Sequence, residues 1–132
     1  MVAQAVGLAA ACEYLDALGM SAVAAHEHDL TSYLLAGLEQ IEGVTIIGPT
    51  NNIDRGSAVS FVVDGVHPHD VGQFLDDRGI AARVGHHCAW PTCRRLGVPA
   101  TTRLSPYLYN GRHDLDEALD AVRGVRPYFG AA

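Results

Sequence analysis

The run Ser57–Val63 constrains the fold more than any other part of the sequence, because it is a nearly continuous apolar stretch rich in valine. A segment of this length and composition is typical of a strand buried inside a sheet rather than one at a solvated edge. Asp64 and Gly65 follow it directly and predict a turn. The fold must therefore cover this strand with other elements.

Helical periodicity dominates the first third of the chain. Residues 3–18 carry apolar side chains at helical spacing, with Cys12 expected to face the core, and Gly19 ends the run. Ser21 is the expected N-cap of a longer helix that continues to about Glu42. Two consecutive helices therefore precede the first strand.

Short strands and helices alternate in the rest of the chain. The expected strands lie at 44–47, 57–63, 80–84 and 101–107, and the expected helices at 67–78, 91–96 and 115–126. Pro106 confines the last strand to an edge or to its final turn. This order predicts an α/β chain, built as an α+β sandwich in which helices cover one face of a small, mostly antiparallel sheet. No repeat or linker divides residues 1–132, so we expect one domain.

Composition limits the classes of function. The chain has 48% hydrophobic and 18% charged residues and a net charge of −6, which is typical of a globular protein. This acidic balance argues against nucleic acid as a partner, and no apolar run has the length of a membrane span. Three irregularly spaced cysteines do not form a disulfide framework. With no recognisable signal peptide, a cytoplasmic protein is expected.

The segment that begins at Arg83 carries the strongest chemical signal. A strand-like run ends at Gly85, and Cys88 follows directly behind His86 and His87. The thiolate is the nucleophile of sulfur chemistry, and nearby cations favour it. Gly85 permits a sharp turn. We therefore interpret Cys88 as a reactive thiol, although most lone cysteines are structural.

The chain has no lysine: all nine of its basic residues are arginines. Pyridoxal phosphate is usually held as a Schiff base on a lysine of the enzyme. This polypeptide alone therefore has no residue on which to hold that cofactor covalently.

Motifs along the whole chain resemble those of one enzyme family. They are, in chain order, Ala25-His26-Glu27, Ile47-Gly48-Pro49, Gly65–Val71, Arg83–Pro91, Thr102–Ser105 and Tyr109-Asn110. By these motifs the chain resembles the C-terminal domain of Suf-type (group II) cysteine desulfurases, within the class V, fold-type I enzymes dependent on pyridoxal phosphate. The resemblance implies that residues 1–132 are roughly the last third of such an enzyme. Without the large domain that carries the cofactor, the chain is expected to be inactive and to bind no pyridoxal phosphate.

The resemblance also implies roles for single residues. Cys88 matches the nucleophile that takes sulfur from L-cysteine, leaving L-alanine and a persulfide used in iron–sulfur cluster assembly. Arg103 matches the arginine that binds the substrate carboxylate, for which a planar guanidinium is suited. His86 or His87 would lower the thiol pKa or move protons, and His69 would meet a sulfur-acceptor protein of the SUF system. The full-length enzyme would be a homodimer.

Two other functions fit the same residues. The first is a small zinc-binding protein, because histidines and cysteines near the loop offer suitable ligands, although their spacing is not that of a standard zinc site. The second is a cofactor-free persulfide carrier or interaction domain that uses Cys88 only to hold sulfur. Cys93 is either incidental or a partner that traps Cys88 as a disulfide on oxidation. His67 is expected to cap the helix that follows it.

Overall fold

The computed structural model describes residues 1–131 as five helices and one four-stranded sheet. The helices are α1 (Val2–Leu18), α2 (Met20–Glu39), α3 (Pro68–Asp76), α4 (Trp90–Arg95) and α5 (Arg112–Phe129). The strands are β1 (Val44–Ile47), β2 (Val59–Val63), β3 (Arg83–Gly85) and β4 (Thr101–Leu104). The sheet order is β1-β2-β4-β3, and every neighbouring pair is antiparallel. The predicted α+β class is confirmed.

The alternating side chains of the interior strand β2 distinguish a covered face of the sheet from a more open face. Val59, Phe61 and Val63 are buried, and the ring of Phe61 is 0% exposed. Ser60 and Val62, which alternate with them, are partly exposed. Apolar side chains of α2, α3 and α5 pack with the buried set in one core. The open face is therefore available to carry polar groups.

The ends of several elements differ from the predicted bounds because local hydrogen bonds end them. The predicted strand at 80–84 starts only at Arg83, since the N–H of Ile80 donates to the carbonyl of Leu75 in the turn after α3 (3.0 Å). The strand predicted to reach residue 107 ends at Leu104, since the N–H of Tyr107 donates to Oδ1 of Asn110 (3.0 Å). The short strands leave longer loops around the sheet edge.

Helix α1 lies outside the core, contrary to prediction. None of its residues is buried, and Cys12 is exposed, so the expectation that Cys12 faces the core is wrong. The chain bends by 80° between α1 and α2 at Gly19, whose φ is +85°. This bend directs α1 away from the sheet. Among residues 1–131, no helix by itself has the length and apolar composition of a membrane span; only α1 and α2 taken as a bent pair pass such a test.

Gly19 also takes the place of the predicted cap at Ser21. Helix α2 begins at Met20, and the carbonyl of Gly19 accepts hydrogen bonds from the N–H groups of Ala22 (3.0 Å) and Val23 (3.1 Å). Ser21 therefore lies inside the first turn and makes no capping hydrogen bond. The prediction of Ser21 as the N-cap is therefore wrong.

Helix α3 packs so closely on β3 that Gly72 has no space for a side chain. A Cβ atom at this position would lie 2.5 Å from Cγ1 of Val84. We expect Gly72→Ala to lower the free energy of unfolding by about 1–3 kcal/mol, because α3 or β3 must shift. Urea denaturation measures this loss. Gly7→Ala in α1, where nothing lies within 4 Å, is the matched control and should raise stability by about 0.5–1 kcal/mol.

The double variant Gly72→Ala/Val84→Ala separates overcrowding from a backbone effect. Removing the methyl groups of Val84 makes room for the new Cβ, so the two substitutions together should cost less than the sum of the single ones. Strict additivity would contradict the close approach.

Candidate active site around Cys88

The loop after β3 holds Cys88 in a strained turn. Gly85 has a φ of +120°, and His87 and Cys88 have φ values of 53° and 60°, in the left-handed region that non-glycine residues seldom enter. The N–H of Ala89 closes the turn by donating to the carbonyl of His86 (2.8 Å). Strained residues of this kind persist where the surroundings hold them, and they are concentrated at functional sites.

The three cysteines have different environments. Cys88 is an exposed free thiol at the tip of the turn, and Cys12 is exposed on α1. Cys93 is buried at 6% exposure inside α4 and is also a free thiol. Cys88 is therefore the exposed thiol that lies beside the two histidines, whereas Cys93 faces the interior.

His87 is held against β4 with one ring nitrogen free. Its Nε2 lies 2.9 Å from the Thr101 hydroxyl, while its Nδ1 is buried without a hydrogen-bond partner among residues 1–131. Burial lowers the pKa of His87 below its usual value, and the positive charge of Arg103 lowers it further, while a hydrogen bond with the backbone of Thr101 opposes the shift. His87 is thus a neutral imidazole near pH 7 whose free nitrogen can hold a proton.

His86 is positioned by an aromatic contact. Its ring centroid lies 4.2 Å from the ring of Trp90, with the planes tilted by 56°. Trp90 itself is 54% exposed at the start of α4. The two histidines therefore have different supports: His87 is fixed to the sheet, and His86 to the helix that follows the loop.

Two arginines face each other on the open side of the sheet. Arg103 of β4 is directly opposite Arg83 of β3, and its other neighbour across the sheet is Ser60. Directly opposite residues share one face, and like charges in such a pair are unfavourable. Nε of Arg103 is buried and has no hydrogen-bond partner in the described part of the chain. A carboxylate between the guanidinium groups would relieve both problems.

The structure brings most of the predicted site residues together. Thr101 and Arg103 are two residues apart on β4, so their side chains point to the same face of the sheet. His87 contacts Thr101 and therefore lies close enough to Arg103 for that positive charge to lower its pKa. Cys88 follows His87 directly. The sequence pattern assigns no role to Arg83, because its position opposite Arg103 depends on strand register across 20 residues.

His69 lies at the exposed start of α3, a helix that packs on the covered face of the sheet. Nδ1 of His67 accepts a hydrogen bond from the N–H of His69 (3.2 Å), which confirms the predicted capping role of His67. The Thr102 hydroxyl donates to the carbonyl of Pro68 (3.4 Å) and ties this helix start to β4. His69 is therefore accessible beside the strand that carries Arg103.

The residues that the structure describes contain no cluster of ligands for the zinc-binding alternative. Within residues 1–131, no three side chains of His, Cys, Asp or Glu lie close enough together to hold a metal ion. A structural zinc site generally needs four such ligands. The histidines and cysteines near the loop are therefore too far apart to bind one zinc ion together.

The depressed pKa of His87 predicts a loss of stability in mild acid. In the unfolded chain, His87 takes up a proton near pH 6.5, whereas in the folded chain it takes up that proton only at lower pH. The contribution of neutral His87 to the free energy of unfolding is therefore complete above about pH 6.5 and is lost as the pH falls toward the folded pKa. We expect the urea midpoint of the wild type to fall more between about pH 8 and pH 5 than that of His87→Asn. His113→Asn, exposed on α5, should not flatten the decline. Parallel pH profiles for the wild type and His87→Asn would contradict this prediction.

Comparisons with known proteins agree with this fold. The aminotransferase class-V family model matches residues 1–118. A probable cysteine desulfurase of Streptomyces coelicolor is 54% identical over 98% of this chain, and one of Mycobacterium leprae is also 54% identical over 98% of it. The chain spans 31% of the length of each of these relatives.

Solved structures give the same result. An apo cysteine desulfurase from Thermococcus onnurineus matches 93% of this chain and 31% of its own, with a TM-score of 0.89 and 38% identity. A cysteine desulfurase from Escherichia coli matches 93% of this chain and 30% of its own, with a TM-score of 0.83 and 30% identity. The small α+β unit is thus a recurring part of larger enzymes of this kind. The chain belongs to the class-V aminotransferase family.

Proposed function

We propose that this chain is the C-terminal, thiol-bearing domain of a Suf-type cysteine desulfurase. The intact enzyme would take sulfur from L-cysteine, release L-alanine and carry the sulfur as a persulfide on Cys88 for iron–sulfur cluster assembly. The observation that carries the proposal is the exposed Cys88 thiol in a strained loop beside the Arg83–Arg103 pair. Relatives named cysteine desulfurase, 54% identical to this chain, support it.

The residues of this chain fit the substrate and not the cofactor. Its sequence contains no lysine to hold pyridoxal phosphate, and the site offers a thiol, imidazoles and guanidinium groups. The remaining two thirds of the enzyme would bind that cofactor, which activates the amino acid when bound. The domain of residues 1–132 would add the groups that grip the amino acid and accept its sulfur.

Arg103 is proposed to bind the substrate carboxylate. Its partly exposed guanidinium group has a buried Nε without a partner in residues 1–131, so a carboxylate would satisfy it. Binding there would orient the sulfur of L-cysteine toward the loop of Cys88. Arg83, directly opposite, adds positive charge to the same face.

Cys88 is proposed to act as the nucleophile. Its thiolate attacks the sulfur of the bound cysteine, so that a sulfur–sulfur bond forms as the carbon–sulfur bond breaks. Protonation of the carbon then gives L-alanine. His87 directly precedes Cys88, and its imidazole is neutral near pH 7, so it can accept a proton during the reaction. Cys88, which is exposed, then passes the sulfur to an acceptor protein. His69 is proposed to contact that acceptor. The intact enzyme is proposed to be a homodimer.

The test joins this chain to the large domain of a class-V relative, either fused or co-expressed, and supplies L-cysteine. We expect L-alanine to form and one extra sulfur to be found by mass spectrometry on the peptide that carries Cys88. The chain alone should form no L-alanine. Sulfur on Cys12 or Cys93, or L-alanine from the chain alone, would overturn the proposal. Sulfur uptake by Cys88 from an added persulfide, without L-alanine from the joined protein, would favour the carrier alternative.

A further inference from the structure

We infer that α4 is a docking surface for an acidic protein, with Trp90 as its apolar anchor and Arg94 and Arg95 as its charged contacts. The inference rests on the proposed function, in which the sulfur carried by Cys88 must be transferred to the thiol of an acceptor protein. It goes beyond that function by naming the recognition element and the chemistry of the partner.

Cys88 lies in a basic stretch of an otherwise acidic sequence. Residues 78–113 contain no Asp or Glu, although the whole chain has 15 acidic residues and a net charge of −6. The arginines in this stretch are Arg78, Arg83, Arg94, Arg95, Arg103 and Arg112. The net charge of the whole chain conceals this local excess of positive charge.

The arginines nearest the loop are not neutralised within the fold. In residues 1–131, the arginines with a salt bridge to an acidic side chain are Arg112, Arg123 and Arg126, all on α5. Arg94 and Arg95 are exposed in the last turn of α4 and make no salt bridge in this part of the chain. Their charge is therefore available to an external partner.

Helix α4 also exposes apolar surface. Trp90 is 54% exposed and Leu96, directly after the helix, is 47% exposed, whereas Cys93 is the buried residue of α4. Tryptophan and arginine are the residue types most enriched among side chains that dominate binding energies at protein interfaces. An exposed tryptophan framed by unpaired arginines fits a partner with an apolar pocket and an acidic rim.

The position of Trp90 connects this surface to the thiol. Trp90 is two residues from Cys88 in sequence, and its ring contacts the tilted ring of His86, with centroids 4.2 Å apart. A protein that covers Trp90 would bring its own thiol within reach of Cys88. A nucleic acid would match the charge but has no thiol to receive sulfur, and a second copy of this surface would be repelled by the same arginines.

The experiment uses this chain without cofactor or L-cysteine. In a Cys12→Ser background, Cys88 is first converted to a mixed disulfide with 2-nitro-5-thiobenzoate. The probes are a glutamate-rich peptide with a single cysteine and the same peptide with glutamine in place of glutamate. The rate at which each peptide releases the coloured thiol measures access to Cys88. Trp90 is the one tryptophan in the sequence, so its fluorescence reports binding directly.

The glutamate peptide should react about tenfold faster than the glutamine peptide at low salt, because opposite charges steer the encounter. It alone should change the emission of Trp90. The rate ratio should fall toward one at high salt and in Arg94→Gln/Arg95→Gln. Arg123→Gln, which removes one charge from the distant helix α5, is the control and should keep the ratio.

Three results would overturn the inference. The first is equal rates for the two peptides when α4 carries no substitution. The second is a fall of the rate ratio in Arg123→Gln as large as that in Arg94→Gln/Arg95→Gln, and the third is unchanged emission of Trp90 when the glutamate peptide is added. Protection of the mixed disulfide by a single-stranded oligonucleotide, with no preference between the peptides, would point to nucleic acid and overturn it as well. Because the rate ratio is independent of L-alanine formation, this failure is distinguishable from failure of the proposed desulfurase.

Discussion

Cys88→Ser is expected to abolish sulfur transfer in the intact enzyme. A serine hydroxyl cannot form a persulfide, and it is far less ionised than a thiol near neutral pH. The substitution is nearly isosteric and lies at an exposed position, so the fold and the binding of L-cysteine should survive. The measurements are L-alanine formation and a search for extra sulfur on every cysteine-containing peptide.

The other cysteines supply controls. Cys12→Ser changes an exposed residue on α1 and should leave turnover unchanged. Cys93→Ala removes a buried side chain from α4 and should cost some stability but little activity. Persistent sulfur uptake in Cys88→Ser, with the added sulfur on Cys93, would show that the nucleophile has been assigned to the wrong residue.

Arg103→Lys is expected to lower kcat/KM for L-cysteine by about 10- to 150-fold. This range corresponds to about 1.5–3 kcal/mol, the contribution of a hydrogen bond to a charged group, because lysine keeps the charge but loses the paired donors. Steady-state kinetics of L-alanine formation measure the change. Arg112→Lys, in the exposed pair with Asp29 that joins α5 to α2, is the matched control. A variant with normal kcat/KM would remove Arg103 from the substrate site.

The sequence alone predicts the sheet better than the surroundings of the site. The apolar run that forms β2 was recognisable because a buried strand needs such a composition, and its inward-facing residues Val59, Phe61 and Val63 are buried. The exposure of α1 was not predictable, because periodicity identifies an apolar helix but not what it packs against. The 80° bend at Gly19 decides that outcome, and a glycine after a helix permits many chain directions.

At the site, neighbours in sequence were predictable and neighbours in space were not. His87 and Cys88 are adjacent, so their association needs no fold. The pairing of Arg83 with Arg103 requires the register of β3 on β4, and the depressed pKa of His87 requires its burial against Thr101. The charge excess around α4 was present in the sequence, but it appears only when charge is counted by segment rather than over the chain.

The exposure of α1 makes concentration a variable in any study of this chain in solution. Val2, Val6 and Leu8 are 65–79% exposed, and Tyr14 is 59% exposed, so the helix presents apolar groups to water along its length. Any association that covers these groups favours the folded over the unfolded chain by mass action. Melting temperatures should therefore rise with protein concentration, and variants of this chain are comparable only when they are measured at the same one.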